Sequence, residues 1–141
     1  MRANSIVSDA IPLVVVGAHM TGMPLNHELE AFAADFIGVG RTKPLYRLYE
    51  LAGKSPAKPG LIRVGEGEGT AIEVEIWSLA PAAFGTFVSR IPPPLGIGTI
   101  ELEGREPAKG FLVEAVAIRD ARDISTYGGW RNYQLSLRSV A

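Results

Sequence analysis

The segment from Ala71 to Leu79 constrains the fold more than any other stretch, because apolar and polar residues alternate along it. One set of alternate positions is apolar and consists of Ile72, Val74 and Ile76. The other set carries two carboxylates and an indole, at Glu73, Glu75 and Trp77. A period of two residues predicts a β-strand with one face in the core. The pattern leaves open whether the other face meets water or a polar cavity.

The remaining strand-like segments are short, and they follow one another closely. They are rich in apolar and β-branched residues and cover 13–16, 45–51, 61–64, 97–103 and 110–116, the last two as a hairpin around a turn at 104–107. Turns between the middle and late strands are too short for the crossovers that parallel strands need. The sequence therefore predicts an α+β domain with a small, curled, barrel-like and mostly antiparallel sheet flanked by helices.

Two main helices are predicted from a period near 3.6 residues. The first begins at Asn26 as N-cap, has its apolar stripe at Leu29, Phe32, Ala33 and Phe36, and ends at Gly38 and Gly40. The second begins at Pro81, buries a stripe that includes Phe84 and Phe87, and ends at Pro92–Pro94. A short last helix is expected after the aromatic and glycine-rich segment 123–131.

A glycine-rich loop follows the first strand and contains one of the two histidines of the chain, His19. Such a loop exposes backbone N–H groups, and the mouth of a closed sheet is a common place for a pocket. Histidine is the side-chain type whose ordinary pKa lies nearest neutrality, which makes His19 a candidate for proton transfer. An imidazole that only forms hydrogen bonds with the backbone of its loop is an equal alternative. The loop residues predicted to bind an anion are Gly17, Ala18, Met20, Gly22 and Asn26.

Composition excludes several classes of protein. With 141 residues and 47% hydrophobic content, the chain is expected to form one domain over residues 11–141, preceded by a flexible arm at residues 1–10. A net charge of -1 gives no nucleic-acid footprint, and the absence of cysteine with only two histidines predicts neither a metal nor a cofactor. No segment has the length of a membrane span or the pattern of a signal peptide, so a cytoplasmic location is expected.

Six segments, taken in order, resemble the C-terminal domain of allophanate hydrolases over residues 11–133. They are GAHMTGMPLN (17–26), RTKPLYRLYEL (41–51), IEVEIWSL (72–79), IPPPLGIGTIEL (91–102), KGFL (109–112) and ARDISTYGGWR (121–131). That domain is similar in fold to the γ-glutamyl cyclotransferase-like family, a small barrel flanked by helices. The resemblance implies that the substrate loop is the one that follows the first strand.

The resemblance also assigns roles to single residues. In the cyclotransferases the loop commonly reads Tyr-Gly-Ser, and a glutamate on a later strand is the acid/base. Gly17 matches the loop glycine and Glu75 matches the glutamate, whereas Val16 and Ala18 stand in place of the tyrosine and serine. This departure disfavours cyclisation of γ-glutamyl compounds.

The function implied by the resemblance is decarboxylation of N-carboxycarbamate, which the amidase domain of an allophanate hydrolase produces. The Ser-Ser-Lys residues of that amidase have no counterpart here, so we expect no amide hydrolysis by this chain unaided. Arg41, Arg47 and Tyr46 are candidates to hold the carboxylates, and Glu75 or His19 to deliver the proton.

Other interpretations remain open at this level. The arginines and Tyr46 are also typical of ordinary surface charges and core or rim aromatics. The competing functions are an accessory module that binds a small anion without turnover, and a true γ-glutamyl cyclotransferase. The expected partners are a small dicarboxylate-like substrate and a separate amidase subunit, with a homodimer left open and no nucleic acid or membrane.

Overall fold

Two sheets and three helices make up the computed structural model, which describes residues 9–140. The larger sheet has the strand order β2-β5-β1-β7-β6, and its strands are β1 (Ile11–Val15), β2 (Asp35–Arg41), β5 (Glu73–Leu79), β6 (Leu95–Leu102) and β7 (Arg105–Val113). The smaller has the order β4-β3-β8, with β3 (Tyr46–Glu50), β4 (Pro59–Arg63) and β8 (Arg122–Asp123). The helices are α1 (Asn26–Ala31), α2 (Pro81–Ser89) and α3 (Trp130–Val140), with 3₁₀ turns at Ala115–Ile118 and Ser125–Tyr127.

Antiparallel pairing dominates both sheets, as the sequence predicted. The central strand β1 pairs antiparallel with β5, placing Val15 opposite Glu75, and it pairs parallel with β7. The predicted hairpin of β6 and β7 is confirmed, with a shorter turn in which Gly104 has a φ of 68°. An α+β fold with helices around a mostly antiparallel sheet is therefore confirmed. The arm predicted for residues 1–10 falls mainly on residues 1–8, which lie outside the described residues.

The larger sheet curls until its two edge strands meet at one corner. A single antiparallel bridge joins Thr42, just after β2, to Leu102 at the end of β6. The Lys43 amide donates to the Glu101 carbonyl at 3.0 Å, and the Glu103 amide donates to the Arg41 carbonyl at 2.9 Å. The sheets do not close beyond this corner, so the predicted barrel holds only in a loose sense.

The first predicted helix is too long. The helix α1 ends at Ala31, and Ala33 takes a left-handed φ of 56° while the Ala34 amide donates to the Leu29 carbonyl at 3.0 Å. This hydrogen bond is the one that closes a helix in a Schellman motif. Phe36, which was expected on the helix, lies in β2, and its ring forms a T-shaped contact with Trp77 with centroids 5.3 Å apart.

The core lies between the two sheets and beneath α3. It includes Val14 of β1, Leu48 of β3 and Trp130 of α3, each no more than 2% exposed. The sheets pack closely where β4 crosses β7, since a Cβ atom added at Gly60 would lie 2.8 Å from Val113 Cβ. Within the described residues, no helix has both the length and the apolarity needed to cross a membrane.

The corner that joins the edge strands generates a stability prediction. Thr42 is fully buried, and its hydroxyl accepts from the Ile72 amide at 3.0 Å and donates to the Lys43 carbonyl at 2.8 Å. Thr42→Val keeps the shape but leaves a buried amide without its acceptor, so unfolding in urea should show a loss of about 1–3 kcal/mol. Thr99→Val, at an exposed hydroxyl that accepts from Lys109, is the control and should change stability by less than about 0.5 kcal/mol. Equal losses in the two variants would contradict this role of Thr42.

Candidate active site

The loop after β1 folds into consecutive tight turns that bring His19 over the end of the sheet. The Met20 amide donates to the Gly17 carbonyl at 2.9 Å, and the Leu25 amide donates to the Ala18 carbonyl at 2.8 Å. Gly17 is required because an added Cβ would overlap the ring of Pro59. The first part of the loop therefore packs directly against the start of β4.

Asn26 is not the N-cap that the sequence predicted. Leu25 occupies the cap position, and its side chain makes no capping hydrogen bond. The Asn26 side-chain amide instead donates to the His19 carbonyl at 2.9 Å. Asn26 thus fixes the backbone at His19, while the Met20 side chain, 1% exposed, anchors the next residue in the core.

Glu75 faces the loop from β5 and is 4% exposed, which answers the question that the alternating pattern left open. Its Oε1 accepts from the Thr21 amide at 2.8 Å, the Thr21 hydroxyl at 3.0 Å and the Trp77 indole at 3.1 Å. Its Oε2 pairs with Arg131 Nη2 at 3.1 Å. The buried carboxylate is therefore surrounded by donors and tied to the loop.

Arg131 is a contributor that the residue-by-residue reading of the sequence missed. It lies in the first turn of α3, and its Nη2 also donates to the Thr21 carbonyl at 2.8 Å. Gly22, with a φ of 82°, adjoins the same guanidinium. The signal available was the segment that contains Arg131 in the family resemblance, but no pattern could indicate that it reaches a loop 110 residues away.

His19 is held between a carboxylate and two aromatic rings. Its Nε2 lies 2.7 Å from Glu28 Oε1, and its side chain is 13% exposed. The imidazole stacks on Phe111 with ring centroids 5.1 Å apart and forms a T-shaped contact with Phe87, with centroids 5.3 Å apart. Burial lowers the pKa of His19 below its usual 6.5, and the hydrogen bond to Glu28 opposes this only in part.

A cavity of about 380 Å³ opens beside His19 and also borders Phe87 and Phe111. Two cationic side chains line it, Lys58 from the loop before β4 and Arg90 from the end of α2. Neither was predicted from the sequence. Neither side chain forms an ion pair with any residue in the range 9–138. A narrower cleft of about 30 Å³ continues along Gly17 and Ala18. The site therefore combines an imidazole, unpaired positive charge and apolar walls.

Three residues predicted to hold the carboxylates do not line this cavity. Arg41 lies 3.8 Å from Glu103 and borders a separate open groove. Arg47 pairs with Asp123 at 2.6 Å, and this hydrogen bond raises the pKa of Arg47 above its usual value. Tyr46 is fully buried and its hydroxyl accepts from the Glu101 amide at 2.9 Å. Of the predicted site residues, the cavity and its cleft bring together His19, Gly17 and Ala18.

Comparison with known proteins agrees with this architecture. Residues 11–135 match the family model described as the allophanate hydrolase C-terminal domain. Over 128 residues, the chain is 43% identical to a urea amidolyase of Lachancea kluyveri, covering 89% of this chain but 7% of that protein. The chain thus spans a small fraction of the curated relatives it matches.

Solved structures give the same result. An allophanate hydrolase from Kluyveromyces lactis superposes with a TM-score of 0.87 at 37% identity, covering 91% of this chain and 21% of that one. A protein specific to uropathogenic Escherichia coli superposes with a TM-score of 0.81 at 35% identity, covering 89% of this chain and 95% of that one. A γ-glutamyl cyclotransferase, 11% identical with a TM-score of 0.59, shares the fold alone. The chain belongs to the allophanate hydrolase C-terminal domain family.

Proposed function

We propose that this chain decarboxylates N-carboxycarbamate, in a pathway that breaks down urea through allophanate. The observation that carries the proposal is the placement of His19, which borders a cavity with unpaired cations and apolar walls. The relatives are named as urea amidolyase and allophanate hydrolase, which supports the substrate class. Decarboxylation of a small dianion requires positive charge, a proton donor and a low-dielectric surface, and these features coincide here.

Lys58 is the proposed carboxylate-binding residue. Its side chain is only partly exposed and borders both the main cavity and the cleft beside Gly17 and Ala18. Its charge is near enough to His19 to contribute to lowering the pKa of the imidazole. A dianion bound between Lys58 and the loop would offset that repulsion, because opposite charges stabilise one another in a partly dehydrated site.

His19 is the proposed proton donor. With Nε2 bonded to Glu28, Nδ1 makes no hydrogen bond to any residue in the range 9–138. A bound dianion favours the imidazolium, which then carries a proton on Nδ1 toward the substrate nitrogen. When the carbon–nitrogen bond breaks, its electron pair stays on nitrogen and takes that proton, carbon dioxide departs along the phenylalanines, and carbamate remains. Glu28 orients the ring throughout.

Glu75 has a positioning role in this proposal, which differs from the acid role that the family resemblance implied. Its carboxylate oxygens accept from Thr21, Trp77 and Arg131, and Glu75 does not line the cavity of His19. It would hold the loop that carries His19 at the correct height above the sheet. The substitution Glu75→Gln, which removes the charge and keeps the shape, would disturb that position but leave His19 as the proton donor.

The second candidate function is an accessory module that binds the anion without turnover. It is favoured by the small share of the relatives that this chain covers, 7% of the urea amidolyase. In either function, an amidase that supplies the carboxylated substrate is the proposed partner. A cyclotransferase is the weakest candidate because Val16 and Ala18 replace the side chains of its loop.

The first prediction concerns anion binding. Lys58→Ala should weaken binding of malonate, a stable mimic of the substrate, by roughly 10-fold or more, because a charge-assisted contact contributes about 1.5–3 kcal/mol. Titration calorimetry measures the affinity directly. Arg41→Ala and Arg47→Ala serve as controls and should leave it within about 2-fold. The sequence-based assignment would be favoured instead if these arginine variants lose affinity while Lys58→Ala keeps it.

The second prediction concerns turnover, measured as carbon dioxide released from N-carboxycarbamate freshly generated by an amidase, with the uncatalysed rate subtracted. His19→Asn should lower turnover by about 10²-fold or more and remove its pH dependence. Glu75→Gln should lower turnover but keep the pH profile, since His19 remains. Loss of the pH dependence in Glu75→Gln alone would make Glu75 the proton donor. Wild-type protein that adds nothing to the uncatalysed rate would leave the accessory module.

The third prediction follows from the pKa of His19, which lies below 6.5 in the free protein. Because a bound dianion raises that pKa, malonate binding should take up as much as one proton between the free and bound values and none below the free value. Calorimetry at about pH 7.5 in two buffers of different ionisation enthalpy measures this uptake. His19→Asn should abolish it, whereas Arg41→Ala, at a residue that does not border this cavity, should keep it. Equal heats in both buffers for the wild type would reject the mechanism.

A further inference from the structure

Arg90 borders the same cavity as His19 and is connected to it through two aromatic rings. The His19 and Phe87 rings form a T-shaped pair with centroids 5.3 Å apart, and Phe87 and Phe32 form another with centroids 6.0 Å apart. The Arg90 guanidinium lies over the Phe32 ring, 5.5 Å from its centroid. Two aromatic rings therefore stand between the imidazole and this guanidinium. In the proposed function, a dicarboxylate with one atom between its carboxyl groups binds at Lys58 and His19, and Arg90 contacts no part of it.

The volume of the cavity also exceeds what the small dicarboxylate needs. N-carboxycarbamate has about seven non-hydrogen atoms, which need at most roughly 210 Å³ if each takes the ~30 Å³ of a water molecule in the liquid. The cavity measures about 380 Å³, within the range of pockets that enclose larger organic ligands. The excess volume lies beyond what the proposed substrate fills.

The wall of the cavity is mostly apolar. Besides the phenylalanines it includes Ile91, Pro92 and Leu95, which follow α2, while His19, His27 and Glu28 are its other polar members. Departure of carbon dioxide requires only the rings that touch His19, so the outer part of this wall has no role in decarboxylation. Apolar surface between two separated positive charges is complementary to a ligand that is anionic at both ends and apolar in the middle.

We infer that the cavity binds a longer organic dianion, with one carboxylate at Lys58 and His19, a flat apolar body beside Phe87 and Phe32, and a second anionic group at Arg90. The inference rests on the proposed function in sharing its Lys58–His19 end. It goes beyond that function by making Arg90 a specificity residue for extended substrates, a role that the small dicarboxylate cannot reveal.

Three probes separate the elements of this inference. In 1,4-phenylenediacetate a benzene ring carries a carboxylate on each side, 4-methylphenylacetate lacks the second carboxylate, and malonate lacks the ring. Each is titrated calorimetrically into the wild type, Arg90→Ala and the control Arg119→Ala. Arg90 and Arg119 are both exposed, and Arg119 borders none of the cavities described here, so both variants are expected to fold.

We expect phenylenediacetate to bind the wild type about 10-fold or more tightly than either malonate or 4-methylphenylacetate, through ring burial and a second charge-assisted contact. Arg90→Ala should remove about 10-fold of its affinity, leave the two smaller ligands within about 2-fold, and differ in this from Arg119→Ala. Phenylenediacetate that binds no more tightly than malonate, or an Arg90→Ala effect equal for all three ligands, would overturn the inference. Failure of the proposed function appears separately, as absent malonate binding or absent turnover.

Discussion

The buried carboxylate of Glu75 is the interaction on which the site depends. A carboxylate that is 4% exposed is costly unless donors surround it, and here the loop, an indole and a guanidinium supply them. The same hydrogen bonds fix Thr21, two residues after His19. The energetic need to satisfy one buried charge therefore determines where the imidazole lies. Removing one partner of such a set leaves the others unpaired, which makes the loop and the helix that carries Arg131 a single unit.

In the proposed mechanism, substrate binding reverses the electrostatic balance at His19. Burial between Phe87 and Phe111 disfavours the charged imidazole, and Lys58 adds repulsion. An arriving dianion reverses the balance because it compensates both positive charges at once. In the proposed mechanism the proton donor is thus charged only when substrate is present, and Glu28 holds the ring in one orientation in both states.

The antiparallel sheet and the loop after the first strand were readable from the sequence, because alternation along 71–79 and the short turns restrict the fold to a curled antiparallel sheet. The end of α1 was not readable, because its left-handed residue is Ala33 rather than the glycine that usually takes this conformation. The apolar stripe of the predicted helix also continued by chance to Phe36. Lys58 and Arg90 were missed for a different reason. Lys58 comes from a loop and Arg90 from the end of α2, and neither lies in a motif. Only the three-dimensional arrangement places both at the cavity that His19 borders.

The link between Thr21 and Arg131 joins residues 110 positions apart, and the link between Thr21 and Glu75 joins residues 54 apart. Contacts with such large sequence separation form only after most of the chain has been ordered, because closing long loops costs entropy that early local structure does not repay. During synthesis the ribosome releases Arg131 only near the end of this segment. The geometry of the candidate site is consequently completed late in folding, and a nascent chain that has already assembled its larger sheet would still lack the contact between Arg131 and Thr21.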